Sequence, residues 1–324
     1  MSAGFLHHDT MAYVGATPWH RSGNNLTPGA DIGVWVEESG TGYPVHHEPV
    51  YLSDGTLIPD RFAVVRGDIR KVFTFASERR KDIQPREILE FFRDLSQLPL
   101  ETAGTLGDGA IVWALARKGE GFSIKGEDYL KNYLLLSTSY DGSMATTGRW
   151  TNVRVVCQNT LRMSMGDKAQ VKVRHTSIFD ETAVKVQLGV YEETNASFER
   201  AANLLAERKV TQGEVENILL TLFASYKPQT KAEIDAKAAP VLTTQSSNVI
   251  QDVVRSMATS PGANLDTSRG TAWGVLNGIT HYVDHAARAH SDDNRLKSAW
   301  FGNGDALKAD AFKLTRELVP ALAA

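Results

Sequence analysis

Two hydrophobic periodicities divide this chain into a β-rich part and a helical part. Up to about Phe179, short apolar runs alternate with polar positions and are separated by turn sequences, which is typical of β-strands. Beyond Phe179, apolar residues recur every three or four positions, the spacing of a helix with one buried face. We therefore predict an α+β fold: a mainly antiparallel β-hairpin sheet packed against a long amphipathic helix, with a helical C-terminal region.

Turn sequences place the predicted hairpins. The SDGT sequence of Ser53–Thr56 and the Asp-Gly pair at 141–142 are typical hairpin turns. Arg61–Asp68 and Lys71–Ser77 predict two paired strands. Gln84–Leu95 predicts a helix instead, because a proline suits its first turn and its apolar residues fall on one face.

The helical part begins with one long amphipathic helix, whose buried stripe runs from Val184 to Leu205. Thr211 and Glu214 form a T-x-x-E capping box that starts a second helix. The first sixty residues hold short apolar pieces such as Ile32–Glu38 and predict an irregular region with short strands. The predicted organisation is an irregular N-terminal region at 1–60, an α+β core of sheet and long helix at 61–226, a connector at 227–247 and a helical region at 248–324.

The sequence RWTNVRVVCQNTLRM at 149–163 places a basic side chain inside a valine-rich strand. Successive side chains of a strand point to opposite faces, so Arg154 points away from its two valine neighbours. A later strand alternates in the same way, with Lys172 and Arg174 opposite its valines. If both strands belong to one sheet, we expect the three cations on one outward face and an apolar face packed on the long helix.

This local excess of positive charge predicts a nucleic-acid interface. The formal net charge is −3, so a polyanion site requires a local patch instead of an overall basic field. Asn159 is expected to cap a short helix that runs to Gly166 and brings Arg162 close to the other cations. The same pattern also fits the solvent-facing side of an ordinary antiparallel sheet. The candidate nucleic-acid-binding residues are Arg149, Trp150, Arg154, Arg162, Lys168, Lys172 and Arg174.

Composition narrows the class of protein. The 324 residues have an ordinary globular composition, and the one cysteine, Cys157, cannot form an intrachain disulfide. Its place on an apolar strand face is typical of a buried, inert thiol. No apolar run approaches the roughly 18 residues that a membrane span requires, and the N-terminus lacks the pattern of a secretory signal. We therefore expect a cytoplasmic protein with no membrane partner.

Catalytic signatures are weak. His281 and His285 are spaced i, i+4 in a helical pattern, which is the geometry of a two-histidine metal site. Asp284 stands where a zinc protease of inverted motif order has glutamate, and only His290 offers a further ligand. The same spacing is typical of packing histidines, so we assign no metal ligand and no catalytic residue. Without a Gly-Lys-Ser or Gly-Lys-Thr phosphate loop, the sequence predicts no cofactor and favours a protein that is not an enzyme.

Seven stretches spread over most of the chain share a pattern with one protein family: Gln84–Phe92, Glu101–Arg117, Tyr133–Ser143, Val153–Leu161, Val173–Thr176, Thr271–His285 and Ser298–Gly304. They resemble an uncharacterised phage and plasmid protein family that carries a large domain of unknown function. That family is similar in pattern to the single-strand annealing proteins, which include the phage Redβ and Erf annealases. The resemblance implies a homo-oligomeric ring or filament that binds single-stranded DNA and anneals complementary strands without ATP during recombination.

Three functions therefore stay open at the level of sequence. The first is binding and annealing of single-stranded DNA in phage or plasmid recombination. The second is a phage or plasmid accessory protein that binds a host protein without catalysis. The third is a metal-dependent enzyme that uses His281 and His285.

Overall fold

The computed structural model describes residues 10–15, 23–93, 95, 98–155, 160–162, 170–188, 191–229, 239 and 241–322; the side chains at 160–162, 186–188 and 191–194 lie outside this description. The strands in these ranges are β1 Met11–Val14, β2 Asn24–Leu26, β3 Val45–Tyr51, β4 Leu57–Arg66, β5 Lys71–Ser77, β6 Leu100–Leu106, β7 Ile111–Ile124, β8 Asp128–Ser139, β9 Thr146–Arg154, β10 Thr160–Arg162 and β11 Gln170–Val173. The helices are α1 Ile32–Glu38, α2 Pro85–Glu90, α3 Glu181–Leu188, α4 Tyr191–Glu207, α5 Gln212–Phe223, α6 Thr244–Thr259, α7 Ala272–His281, α8 Asp292–Phe301 and α9 Asn303–Glu317.

Two sheets form the β-rich part. The larger sheet has the order β10-β9-β8-β7-β6-β1-β2, and β11 also pairs with β9. The smaller sheet has the order β3-β4-β5. Every described pair is antiparallel except β1 with β2, which makes the larger sheet mixed. The α+β class is therefore confirmed, as are the hairpin turns at Ser53–Thr56 and 141–142.

Helix α1 lies where we expected short strands. The carboxylate of Asp31 accepts a hydrogen bond from the N–H of Gly33 at 2.7 Å, which caps the helix start. Trp35 and Val36 are its buried residues. The apolar run is too short for its periodicity to distinguish a helix from a strand, so the cap and the packing decide the outcome.

The region predicted as one long helix contains α3 and α4, and residues 189–190 between them lie outside the described part of the chain. Phe198 of α4 is fully buried, and its ring centroid lies 6.2 Å from that of Phe122 in β7. Packing of the sheet against a single long helix stays a prediction. None of the described helices is long and apolar enough to span a lipid bilayer.

Both faces of the central strands are covered by other elements. Val112 and Ala114 of β7 belong to the main core, which continues into the C-terminal helices. Their neighbours Ile111 and Trp113 belong to a second, smaller core, where Trp113 meets Trp300 of α8 edge to face at 5.1 Å. Burial on both faces explains why β7 and β8 carry consecutive buried residues instead of alternating ones.

Candidate nucleic-acid interface

Arg154 is fully buried between the larger sheet and the C-terminal region. Its Nε lies 2.8 Å from both carboxylate oxygens of Asp128, and its Nη2 lies 2.7 Å from one of them. Nη2 also donates to Ser268 Oγ at 2.7 Å and to the carbonyl of Gly262 at 3.2 Å. Trp273 Nε1 donates to the same carboxylate at 2.9 Å. The predicted outward position of Arg154 is therefore wrong, because its charge is neutralised inside the fold.

Arg149 and Trp150 also point inward. Nη1 of Arg149 donates to Asp305 Oδ2 at 2.7 Å, and Nη2 donates to the carbonyl of Trp300. Trp150 is buried in the main core. Both candidate side chains are therefore buried, away from the protein surface where a phosphate or a base would bind.

The register of β9 with β11 separates the predicted cations. Gly148 lies opposite Val171, and Thr147 lies opposite Lys172. Paired residues share a face, so Arg154, at an even spacing from Gly148, lies on the face of Val171 and not on that of Lys172. The predicted common face of Arg154, Lys172 and Arg174 is wrong. Alternation within each strand does not specify the register between two strands.

The remaining predictions for residues 149–168 concern the edge of the larger sheet. Residues 160–162 form β10, which pairs with β9, where we predicted a short helix running to Gly166. Pairing satisfies backbone groups that the sheet edge would otherwise leave open. Cys157, Lys168 and the side chain of Arg162 lie outside the described residues.

Lys172 and Arg174 are both exposed, and Arg174 lines a cleft of about 340 Å³. The backbone N–H of Lys81 donates to the carbonyl of His175, which joins the β5–α2 connection to the end of β11. Lys81 and Arg174 both line the cleft, and one further cation lies two residues away from each along the chain. We call these four exposed side chains, Arg79, Lys81, Lys172 and Arg174, the cationic rim. None of the four has an ion pair within the part of the chain that the structure describes.

The buried carboxylate of Asp82 organises the wall of this cleft. Arg80 Nη2 lies 2.8 Å from it, and Nε2 of His47 lies 2.9 Å from it. His175 presents Nδ1 to the same carboxylate at 3.7 Å, while its Nε2 lies 2.9 Å from the carbonyl of Met144. The negative charge of Asp82 is therefore paired with Arg80. Asp82 does not compensate the positive charges of the rim cations.

The other carboxylates that line the cleft also have local partners. Glu87 caps the start of α2. Glu90 pairs with Arg86 at 2.7 Å, and Glu181 pairs with Lys185. Since each acidic group is already satisfied, the rim can present a local positive potential on a chain whose net charge is negative.

Apolar side chains complete the cleft. Ile178 lines it with 81% of its surface exposed. Phe179 also lines it, and its ring lies 6.1 Å from that of Phe91. Exposed apolar surface beside unpaired cations suits a ligand that carries both phosphates and flat rings.

His281 and His285 lie together as their spacing predicts, with ring centroids 4.9 Å apart at the π-helical turn Tyr282–Ala286. Burial, and secondly the charge of His285, lower the pKa of His281 to about 4. Asp284 instead pairs with Lys308 at 2.7 Å. Among the described residues, no group of three or more His, Cys, Asp or Glu side chains is arranged to hold a metal ion. Within the described part of the chain, the hypothesis of a metal-dependent enzyme therefore has no third ligand for His281 and His285.

Sequence reasoning missed Arg79 and Lys81. The signal was present as three consecutive basic residues at 79–81, between a predicted strand and a predicted helix. Only the tertiary pairing of Lys81 with His175 brings this run to Arg174, almost a hundred positions later in the chain.

Comparison with known proteins identifies a family. A family model described as a domain of unknown function, DUF932, matches residues 72–300, a span that contains the cleft and its rim. No curated protein and no solved structure matches the chain.

Proposed function

The chain belongs to the DUF932 family, and we propose that it binds single-stranded nucleic acid at the cationic rim. The observation that carries this proposal is the meeting of two exposed cations, Lys81 and Arg174, at one cleft, with Arg79 and Lys172 exposed two positions away along the chain. No ion pair is made by any of the four among the described residues. Phosphate binding by unpaired Lys and Arg side chains releases counterions from the nucleic acid, and this release drives association. Cations that are already paired with carboxylates, such as Arg149 and Arg154, do not bind phosphate and contribute no counterion release.

A single strand suits this cleft better than a duplex does. Ile178 and Phe179 offer apolar surface to unstacked bases, which a duplex keeps paired and stacked inside. The rim is small, so one subunit contacts few phosphates and binds weakly. Assembly of several subunits along one strand would multiply that affinity, which is why we extend the proposal to a homo-oligomeric ring or filament.

Annealing of complementary strands without ATP is the finer form of this proposal. A rim that holds phosphates leaves the pairing edges of the bases free for a second strand. Recombination of phage or plasmid DNA is the process that such an activity would serve.

Fluorescence anisotropy with a labelled oligothymidylate tests the binding. We expect the variant Lys81→Glu/Arg174→Glu to bind at least about tenfold more weakly than the unchanged protein. The slope of log affinity against log salt should also become shallower by about 1.4, since two phosphate contacts on a single strand contribute about 0.7 each. The matched control is Arg200→Glu/Lys313→Glu, which changes the same charge at two exposed positions far from the cleft in sequence.

Two outcomes would contradict the proposal. One is equal binding by the cleft variant and the control variant, with both shown to be folded by circular dichroism. The other is loss of binding in both variants to the same extent, which would indicate a response to total charge only. The annealing step is tested separately, by following the pairing of two complementary labelled oligonucleotides in the absence of ATP.

A further inference from the structure

His175 lines the cleft beside the cationic rim, and its ring lies between two hydrogen-bond acceptors. Its Nε2 lies 2.9 Å from the carbonyl oxygen of Met144, and its Nδ1 lies 3.7 Å from Oδ1 of Asp82. A carbonyl oxygen only accepts hydrogen bonds, so Nε2 carries a proton and donates to Met144. The uncharged ring has one N–H, and Nδ1 therefore presents a lone pair to the carboxylate of Asp82.

This Nδ1 atom is buried and has no hydrogen-bond partner among the described residues. The side chain of His175 is 14% exposed and that of Asp82 is 3% exposed, so water does not surround the contact. Buried polar atoms without a partner are rare, because the hydrogen bonds that they lose to water are not replaced. A proton on Nδ1 changes the contact, since the ring then offers an N–H to the carboxylate and a charge-assisted hydrogen bond can form.

The carboxylate of Asp82 can accept this additional hydrogen bond. Arg80 donates to it through Nε at 2.9 and 3.0 Å, and its Nη2 lies 2.8 Å from Oδ1. His47 Nε2 lies 2.9 Å from Oδ2. An ionised carboxylate has about four lone-pair sites, so His175 can donate without displacing Arg80 or His47.

The other charged groups around His175 are already paired or belong to the rim. The carboxylates that line the cleft are Asp82, Glu87, Glu90 and Glu181. The cations of the cleft and of Asp82, with the second histidine, are Lys81, Arg174, Arg80 and His47. On the turn that carries Met144, Asp141 pairs with Lys297 at 3.2 Å. Because Arg80 neutralises Asp82 and the other carboxylates have local partners, a proton on His175 adds an uncompensated positive charge to the cleft.

His175 also joins the two segments that carry the rim. Its carbonyl accepts a hydrogen bond from the N–H of Lys81, and Arg174 precedes it in the chain. A hydrogen bond from the ring to Asp82, the residue after Lys81, adds a second link between the same two segments. Protonation of His175 therefore adds charge to the cleft and holds Lys81 and Arg174 together.

We propose that His175 is a pH-dependent switch of the cationic rim, whose protonation closes the contact with Asp82 and strengthens polyanion binding at the cleft. The charge of a histidine commonly changes between about pH 5 and 8. The inference rests on the proposed binding of single-stranded nucleic acid, and adds that the affinity rises as the pH falls through this range. By reciprocity, bound nucleic acid favours uptake of a proton by His175.

Fluorescence anisotropy with a labelled oligothymidylate at pH 5.5 and pH 8, at one salt concentration, tests this dependence. Thymine and the phosphodiester groups keep the same charge at both pH values, so a change in affinity originates in the protein. We expect the unchanged protein to bind at least about fivefold more tightly at pH 5.5. His175→Gln keeps an N–H donor near the position of Nε2 but takes up no proton, so it should lose most of this difference.

Two control variants should keep the difference. His290→Gln changes a histidine at an exposed position far from the cleft in sequence. His47→Gln changes the other histidine on Asp82, which already makes its hydrogen bond in the uncharged form. An equal loss in His47→Gln and His175→Gln would overturn the proposal, because it would indicate a response to the total charge near Asp82.

A second measurement does not depend on nucleic acid. Two-bond proton–nitrogen correlation NMR of the histidine rings, with His175 assigned by the signals that His175→Gln lacks, should show Nε2 alone protonated at pH 8 and both nitrogens protonated at pH 5.5. An Nδ1 that stays unprotonated at pH 5.5 would overturn the proposal, as would an unchanged pH dependence of binding in folded His175→Gln. Absence of oligothymidylate binding at both pH values is a different result, which would contradict the proposed function itself.

Discussion

Arg154 and Asp128 form an ion pair in which neither side chain has any exposed surface. Arg154 pairs across the sheet with Leu130, so Asp128 lies on the same face, two residues away on the neighbouring strand. Ser268 and Gly262 accept hydrogen bonds from Arg154, and Trp273 donates one to Asp128. The contact therefore joins the sheet to the segment between α6 and α7.

Removing one partner of this pair should be strongly destabilising. Arg154→Met leaves the Asp128 carboxylate buried without its counter-charge, and we expect the free energy of unfolding to fall by about 3–5 kcal/mol. Urea denaturation measures this loss. The exposed arginine at position 200 gives the control: Arg200→Met should change stability by no more than about 0.5 kcal/mol.

The double variant Arg154→Met/Asp128→Leu should recover much of that loss. It removes both charges and leaves an apolar contact, although the Trp273 indole N–H then lacks its acceptor. A double variant as unstable as Arg154→Met would show that packing, and not an unpaired charge, accounts for the loss.

Gly274 allows the start of α7 to pack against the segment that precedes it. A Cβ at this position would lie 1.8 Å from the carbonyl oxygen of Ser268, so Gly274→Ala requires the backbone to move. We expect it to cost about 1–3 kcal/mol. Gly213→Ala on α5 meets no atom within 4 Å and should instead stabilise by up to about 1 kcal/mol through helix propensity. Thermal unfolding of both variants compares the two, and equal shifts would contradict the steric explanation.

Acid should destabilise the C-terminal region through His281. Burial lowers the pKa of His281 from 6.5 to about 4, so between these pH values the unfolded chain binds more protons than the folded one. The free energy of unfolding should therefore fall as the pH drops through this window. We expect a loss of about 1–2 kcal/mol, less than the full shift implies because His281 is partly solvated.

Denaturation of His281→Gln at pH 7 and pH 4.5 checks this origin, since the variant should lose that part of the pH dependence. His290→Gln, at an exposed position, is the control and should keep it. Parallel behaviour of the two variants would exclude His281 as the source.

The capping box of α5 should contribute measurably to stability. Thr211 Oγ1 accepts from the N–H of Glu214 at 3.3 Å, and Glu214 accepts from the N–H of Thr211 at 2.8 Å. Thr211→Ala should lower the free energy of unfolding by about 1 kcal/mol. Thr244→Ala, at the exposed first residue of α6, should have an effect within about 0.5 kcal/mol, because Thr243 is the residue that caps that helix. A similar loss in both variants would indicate an effect of the methyl and hydroxyl groups unrelated to capping.

Some features of this protein could be predicted from the sequence because they depend on residues that are close together in the chain. The turn at Ser53–Thr56 and the capping box at Thr211 depend on residues within four positions of one another, and both are present. The strand pair Arg61–Asp68 and Lys71–Ser77 is present as β4 and β5 for the same reason. Helix α1 was missed, since seven residues with an apolar centre fit either period.

Only about half of the candidate site could be predicted from the sequence. Lys172 and Arg174 are exposed as predicted, whereas Arg154 is buried by a sheet register and by a segment more than a hundred residues later. The positive charge of the run at 79–81 was visible in the sequence, but the proximity of this run to Arg174 was not. Long-range pairing of this kind leaves no periodic signal in the chain.

What the sequence by itself determined is the α+β class, the hairpin turns at Ser53–Thr56 and 141–142, the capping box of Thr211 and Glu214, and the local excess of positive charge between Arg149 and Arg174. Only the tertiary structure decided which of those charged side chains are exposed to solvent. Strand alternation specifies which side chains share a face, but coverage of that face depends on elements distant in the chain. Because the larger sheet is covered on both faces, Arg149 and Arg154 became internal ion pairs. Lys81 and Arg174, which have no ion pair among the described residues, line a cleft where the β5–α2 connection meets the end of β11.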